Sequence, residues 1–221
     1  KINVPAGFIV TTEAYKEFLR VNKITDIINN ELNKAGNDER SLLNAACYFR
    51  KRIRSGTFPA ALKNLIGEKY NALGENKKVA IRSSATAEDL ADASFAGQQD
   101  SYLNIQGMDE ILEHIRSCYA SLWTDRAVSY RFRQGYDQSR VSIAVIVQEM
   151  VESEKSGVLF TVAPINKNEN AMLINAAFGL GESVVSGRVS ADTYMIDKKT
   201  GMIQINIGNK ETQSVYDKKG T

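Results

Sequence analysis

Arg82 stands at the end of a short apolar run, Lys78-Val79-Ala80-Ile81. Ser83, Ser84, Ala85 and Thr86 follow at once, and Gly97, Gln98 and Ser101 lie further along. A guanidinium fork can hold two phosphate oxygens together. Small and hydroxyl-bearing neighbours let backbone N–H groups approach a phosphate and add donors of their own. A strand that delivers an arginine into such a loop, with a second strand returning at Ser101, therefore has the parts for phosphate recognition. The segment has no Gly-Lys-Ser/Thr triplet, so it is not a Walker loop. The same residues also fit an ordinary surface loop with Arg82 in a salt bridge.

Other reactive side chains are sparse. His114 is the only histidine. It sits mid-helix between Glu113 and Ile115 and reads as structural or solvated. Phe178-Gly179-Leu180-Gly181-Glu182 places two glycines after a strand, which fits a tight turn, and Glu182 takes no metal role. Asp89 and Asp92 flank the phosphate loop and read as loop-stabilising or solvated; a Mg²⁺ role is the lesser alternative. Cys47 and Cys118 lack metal spacing and a disulfide pattern. They read as buried thiols of a reducing cytoplasm.

These residues need a frame, and the periodicity supplies one. Phe8 to Thr12 predicts a strand, and Thr12 then caps a helix to about Val21. A helix is expected over 24–34. Another is capped by Ser41, carries Leu42, Ala45, Ala46, Phe49 and Ile53 on one face, and stops at Gly56. Pro59 opens a further helix to about Leu73. Strands are expected at 78–81 and 101–105, with 83–100 as a long loop between them. One long helix runs from Asp109 to near Gly135, its apolar residues at helical spacing. Trp123, Tyr119 and Tyr130 on that helix read as packing residues rather than base-stacking platforms. Strands follow at 141–147, 157–162 and 173–177. The runs 193–196 and 202–207 form a hairpin around Lys198-Lys199-Thr200-Gly201. The fold class is α+β, with a helical and mixed first lobe over 1–147, containing the candidate phosphate-binding loop 82–101, and a sheet-rich second lobe over 148–221.

Composition narrows the function. The chain has 221 residues, 43% hydrophobic and 24% charged, which is the balance of a globular protein with a sizeable core. With 28 basic and 26 acidic side chains the net charge is +2, which gives no field for nucleic acid or an anionic membrane. No apolar run reaches membrane-span length. The first residues are no signal peptide, and the missing initiator Met implies residues upstream.

Longer motifs carry a resemblance. The run Ile81-Arg82-Ser83-Ser84-Ala85-Thr86-Ala87-Glu88-Asp89-Leu90 continues in Ala93-Ser94-Phe95-Ala96-Gly97-Gln98-Gln99. Ala120-Ser121-Leu122-Trp123-Thr124-Asp125-Arg126-Ala127 and Val147-Gln148-Glu149-Met150-Val151 come next in order, then Ser156-Gly157-Val158-Leu159-Phe160-Thr161 and Phe178-Gly179-Leu180-Gly181-Glu182. Together they resemble the phosphoenolpyruvate synthase and pyruvate phosphate dikinase family, and the rifampin phosphotransferases share the domain. The resemblance implies an ATP-grasp-like domain, truncated at both ends, with ATP between two lobes. It implies that Arg82 binds the ATP phosphates and stabilises charge in transfer. Ser83, Thr86, Gly97, Gln98 and Ser101 would line the phosphates, and Gln148, Glu149, Met150 and Val151 would form a hinge against adenine. A Gly-Gly-Lys-Gly segment is expected upstream. A Glu and a Gln-x-Arg motif holding Mg²⁺ and phosphates are expected downstream. The partners implied are a phosphohistidine carrier domain, with its histidine in a Thr-Ser-His-Ala context, and an acceptor-binding domain of the same protein. The fragment alone is then expected to bind ATP weakly and transfer no phosphate. The acceptor would be pyruvate or, alternatively, rifampin; a non-catalytic nucleotide-binding module is the third reading.

Overall fold

The computed structural model describes residues 2–86, 101–164 and 169–209, together with the backbone pairing of 89–90 and 93–94. The chain divides into two compact units, Lys1–Met150 and Val151–Thr221.

The first unit begins with β1 (Gly7–Val10) and four helices: α1 (Thr12–Val21), α2 (Ile24–Ala35), α3 (Glu39–Arg54) and α4 (Ala60–Leu73). Then come β2 (Val79–Ala85), the short pair β3 (Asp89–Leu90) and β4 (Ala93–Ser94), and β5 (Ser101–Ile105). It closes with α5 (Met108–Ser121), α6 (Asp125–Arg133), a 3₁₀ turn at Gln138–Arg140, and β6 (Ile143–Glu149). Four of the strands form one antiparallel sheet in the order β1-β6-β2-β5.

The sheet is covered on one side. Val79, Ile81, Val145 and Val147 join Phe18, Phe49, Ile53, Ile111, Ile115 and Trp123 in a single core. Rings meet inside it: Phe49 lies edge-on to Trp123 at 4.9 Å, and Tyr15 is tilted against Tyr119 at 4.9 Å. Trp123 Nε1 donates to Tyr15 Oη at 3.0 Å. Arg131 is 1% exposed, lies over the Trp123 ring at 5.6 Å and donates from Nε to Gln138 Oε1 at 2.8 Å. Burial draws its guanidinium down to about 10, and the ring face offsets part of that cost. Trp123 and Tyr119 are thus core residues, as their helical spacing predicted.

Several local expectations are corrected. The long helix is two, α5 and α6, broken at Leu122-Trp123-Thr124. Leu122 closes α5 as its C-cap, and Thr124 caps α6 by accepting from Ala127 N at 3.3 Å. Asp38, not Ser41, caps α3, its carboxylate accepting from Ser41 N at 2.8 Å. The N-cap of α1 is Thr11 rather than Thr12, and its side chain makes no capping bond. β2 reaches Ala85, so Ser83 and Ser84 belong to a strand rather than a loop. Cys118 is buried, but Cys47 is only half-buried.

The second unit is one antiparallel sheet of β7 (Lys155–Phe160), β8 (Ala171–Phe178), β9 (Asp192–Asp197) and β10 (Ile203–Asn206), in the order β10-β9-β8-β7. A one-turn helix, α7 (Glu182–Val185), follows β8. β9 and β10 form the expected hairpin, with Gly201 in the left-handed region at φ +70°. Asp197 holds its turn by accepting from Lys199 N at 2.9 Å and Thr200 N at 2.8 Å. The Thr200 backbone donor, above all, keeps its carboxyl below the ordinary range.

Candidate functional site

The pleat of β2 sorts the candidate residues. Ile81 pairs with Val147 and Ser83 with Val145, both facing the helices. Arg82 pairs with Ile146 on one side and Ser101 on the other, facing away from the helices. Because β1 lies beyond β6, with Ile9 opposite Ile146, one row crosses the whole sheet: Ile9, Ile146, Arg82, Ser101. Arg82 and Ser101 are exposed, Ile9 is 59% exposed and Ile146 is half-buried. Arg82 makes no ion pair with another described residue. The row combines one fixed cation, a hydroxyl and two branched apolar side chains. Such a surface can take a ligand that is anionic at one end and flat and apolar at the other.

Gln148 extends this face one step along β6, opposite Gly7 and Ala80. Its Nε2 donates to Pro5 O at 3.3 Å. A Cβ on Gly7 would lie 2.6 Å from Val147 O and 3.0 Å from Gln148 Cα. Only glycine lets β1 lie this close to β6.

Ser83 and Glu149 send their side chains to the opposite face, Glu149 pairing with the core residue Val79. There the Glu149 carboxylate meets Lys77 Nζ at 2.6 Å. The Glu149 backbone N–H donates to Ala6 O at 2.8 Å and that of Met150 to Lys78 O at 3.0 Å, so both donors are committed within the first unit. Val151 is 55% exposed and opens the second unit. Thr86 is a clasp. Its N–H and Oγ1 both donate to Ser142 O, at 2.9 and 3.2 Å, and Oγ1 accepts from Ser142 N at 3.1 Å. That clasp fixes where the chain leaves β2. Gly97 and Gln98 lie outside the described residues.

His114 stays on α5. Its Nδ1 lies 2.8 Å from Glu110 O and its ring meets Tyr102 edge-on at 4.6 Å, a packing role. Glu182 faces Arg188 at 3.4 Å. Among the described residues no three His, Cys, Asp or Glu side chains come together in a way that could hold a metal ion.

Ile9, Ile146 and Lys77 have no role in the sequence reading. The alternation of Ile143–Glu149 could have flagged Ile146 as out of phase with the core. Nothing local marks the place of Ile9, because its neighbour β6 lies some 140 residues away in the chain.

A helix-backed antiparallel sheet with an exposed arginine on its open face, followed by a second antiparallel sheet, defines an α+β domain suited to an anionic ligand. The chain belongs to the pyruvate phosphate dikinase, AMP/ATP-binding domain family, which it matches over residues 1–221. It is 47% identical to a probable phosphoenolpyruvate synthase of Methanocaldococcus jannaschii, over 98% of this chain and 19% of that protein. It is 44% identical to the phosphoenolpyruvate synthase of Aquifex aeolicus, over 97% of this chain and 27% of that protein. It is 43% identical to the rifampicin phosphotransferase of Bacillus subtilis, over 97% of this chain and 26% of that protein. The chain thus spans between a fifth and somewhat over a quarter of these relatives. Among the described residues no helix is long and apolar enough to cross a membrane.

Proposed function

We propose that the chain is the ATP-binding part of a phosphoenolpyruvate synthase (pyruvate, water dikinase), built as an ATP-grasp-like domain. Arg82 takes the ATP phosphates, and the segment Gln148–Val151 takes adenine. The activated phosphoryl group passes to a histidine on another domain of the same protein and from there to pyruvate. The observation that carries this reading is Arg82: a fixed, exposed cation with no ion pair among the described residues, on the open face of the sheet, in a family defined by AMP and ATP binding.

In phosphoryl transfer the charge spreads over the non-bridging oxygens, and catalysis is mainly positioning and charge stabilisation. A guanidinium serves both purposes because it keeps its charge and presents a rigid donor fork. Ser101 lies directly across the strand pair and can add a hydroxyl donor to the same oxygens. Ile9 and Ile146 offer apolar surface at one end of the row. The described residues make no metal cluster. Mg²⁺ ligands belong, under this reading, to other parts of the polypeptide.

The 43% identity to a rifampicin phosphotransferase supports a second reading, with the same ATP half and rifampicin as acceptor. One experiment separates the two. The full-length protein is incubated with ATP and Mg²⁺, with pyruvate or rifampicin, and products are resolved by phosphorus NMR. AMP, phosphate and phosphoenolpyruvate appearing only with pyruvate is the expected result. Phosphorylated rifampicin would select the second reading. Absence of ATP binding and turnover with both would reduce the chain to a non-catalytic module.

A further inference from the structure

The Lys77–Glu149 ion pair acts from the back of the sheet, on the helix-covered side, and nothing in the reading above uses it. Glu149 is the last residue of β6 and stands one residue short of the end of the first unit. Its side chain points away from the row that carries Arg82. Lys77 lies two residues before Val79, the residue directly opposite Glu149. The pair is therefore a diagonal cross-strand contact on one face. At 2.6 Å, with side chains 45% and 30% exposed, it contributes little to overall stability. Its importance lies in what is fixed at each end.

The Lys77 end is anchored three times. Tyr70 Oη donates to Lys77 O at 2.8 Å and accepts from Gly107 N at 3.1 Å. Gln106 Nε2 donates to Asn76 O at 2.6 Å. Asn76 itself is held in the left-handed region at φ +51°, a conformation a non-glycine residue keeps only when its surroundings impose it. The turn before β2 is thus tied to the start of α5. At the Glu149 end, the backbone is pinned by Ala6 O, and Met150 by Lys78 O. The ion pair is a side-chain tie between this braced turn and the end of β6.

We propose that Lys77 is a positioning residue: by holding the Glu149 carboxylate on the covered face, it sets the path of Gln148–Val151 and so the fit of the nucleotide base. This inference rests on the ATP-binding reading and adds a residue that touches neither base nor phosphate. Its mark is selectivity between two parts of one ligand. Loss of Lys77 loosens the grip on adenine and leaves the phosphate contacts of Arg82, on the other face, intact.

The test uses the full-length protein with four variants, Lys77→Met, Lys77→Arg, Glu149→Gln and the double variant Lys77→Met with Glu149→Gln. K77M is expected to raise the KM for ATP roughly fivefold with kcat held within about twofold, the pattern of lost binding rather than lost transition-state contact. Affinity for inorganic tripolyphosphate, which has no base, stays at the unmodified level. K77R restores the KM. The double variant costs less than the sum of its two singles, because both changes remove one contact. An unchanged KM in K77M, or equal losses for ATP and tripolyphosphate, would overturn the role of Lys77 while leaving the nucleotide reading in place. An unmodified protein that binds no ATP would remove both together.

Discussion

The two faces of the first sheet are built from the same strands and obey different rules. Toward the helices, Val79, Ile81, Val145 and Val147 are fully buried in one continuous core. On the other side, the intervening residues Arg82, Ile146 and Ser101, with Ile9 of the edge strand, stay exposed or half-buried. A period of two lets one strand serve both purposes, because neighbouring residues never share a face. The covered face packs the core; the other face carries Arg82, Ser101 and Ile9 exposed among the described residues, with Ala80 buried beside them. Moving one residue along β2 exchanges one consequence for the other.

The sharpest way to break this division is to change adjacent residues. Arg82→Ala in the full-length enzyme should raise the barrier to phosphoryl transfer by roughly 3–4 kcal/mol, the cost of removing one charge-stabilising donor, and shift the melting temperature little. Turnover near that of the unmodified enzyme in single-turnover assays would end the role given to Arg82. Ile81→Ala, one residue back, should do the reverse and cost about 3 kcal/mol of folding stability through an unfilled core volume. Denaturant unfolding with an unchanged midpoint would show that the two faces are not divided as described. Gly7→Val tests the edge. A side chain there meets the Val147 carbonyl at 2.6 Å, so β1 must move off β6, for about 2 kcal/mol of stability. Ligand affinity should fall with it, since Ile9 moves too.

The smallest effect at neutral pH sharpens the covered face alone. Burial raises the Tyr15 phenol from 10 to about 12 and pushes Tyr119 up as well. The unfolded chain ionises these groups from pH 10, while the folded chain resists. Stability is therefore intact below pH 10 and lost as pH climbs through 12. Arg131, drawn down to about 10, pulls the other way over the same window. Absorbance of tyrosinate near 295 nm should show two rings that titrate only as the far-ultraviolet circular dichroism collapses. Smooth titration of every tyrosine before unfolding would contradict the packing of this cluster.

Much of this was legible in the residues. The β-branched run ending at Val147, the short strand before Arg82 and the hairpin around Thr200 declare themselves by local pattern, and each forms a strand. Arg82 was visible as a cation entering a small-residue segment. Its place on the open face was not visible, because that depends on β6 lying between β1 and β2, and no short-range signal encodes such an order. The break before α6 was hidden for a related reason. Leu122 and Trp123 continue the apolar spacing across it because both still point into the core, 0% and 2% exposed, so periodicity ran on where the helix did not. Thr86 looked like a donor for phosphate. Its hydroxyl is engaged with Ser142, a partner 56 residues on that only the folded sheet brings near.

The pairing of Gly7 with Gln148 means that the first unit starts and finishes at neighbouring points, with Ala6 O accepting from Glu149 N at 2.8 Å. During synthesis β2 can pair with β5 as soon as both have left the ribosome, but β1 has no sheet neighbour until β6 has emerged, so the sheet closes late, when β6 inserts between β1 and β2. The same adjacency makes this unit a natural subject for circular permutation: a short linker between its two ends, with a new opening in an exposed helical connection such as Gly36-Asn37, should preserve every strand pairing while making β1 the last strand to join instead of the first to be made.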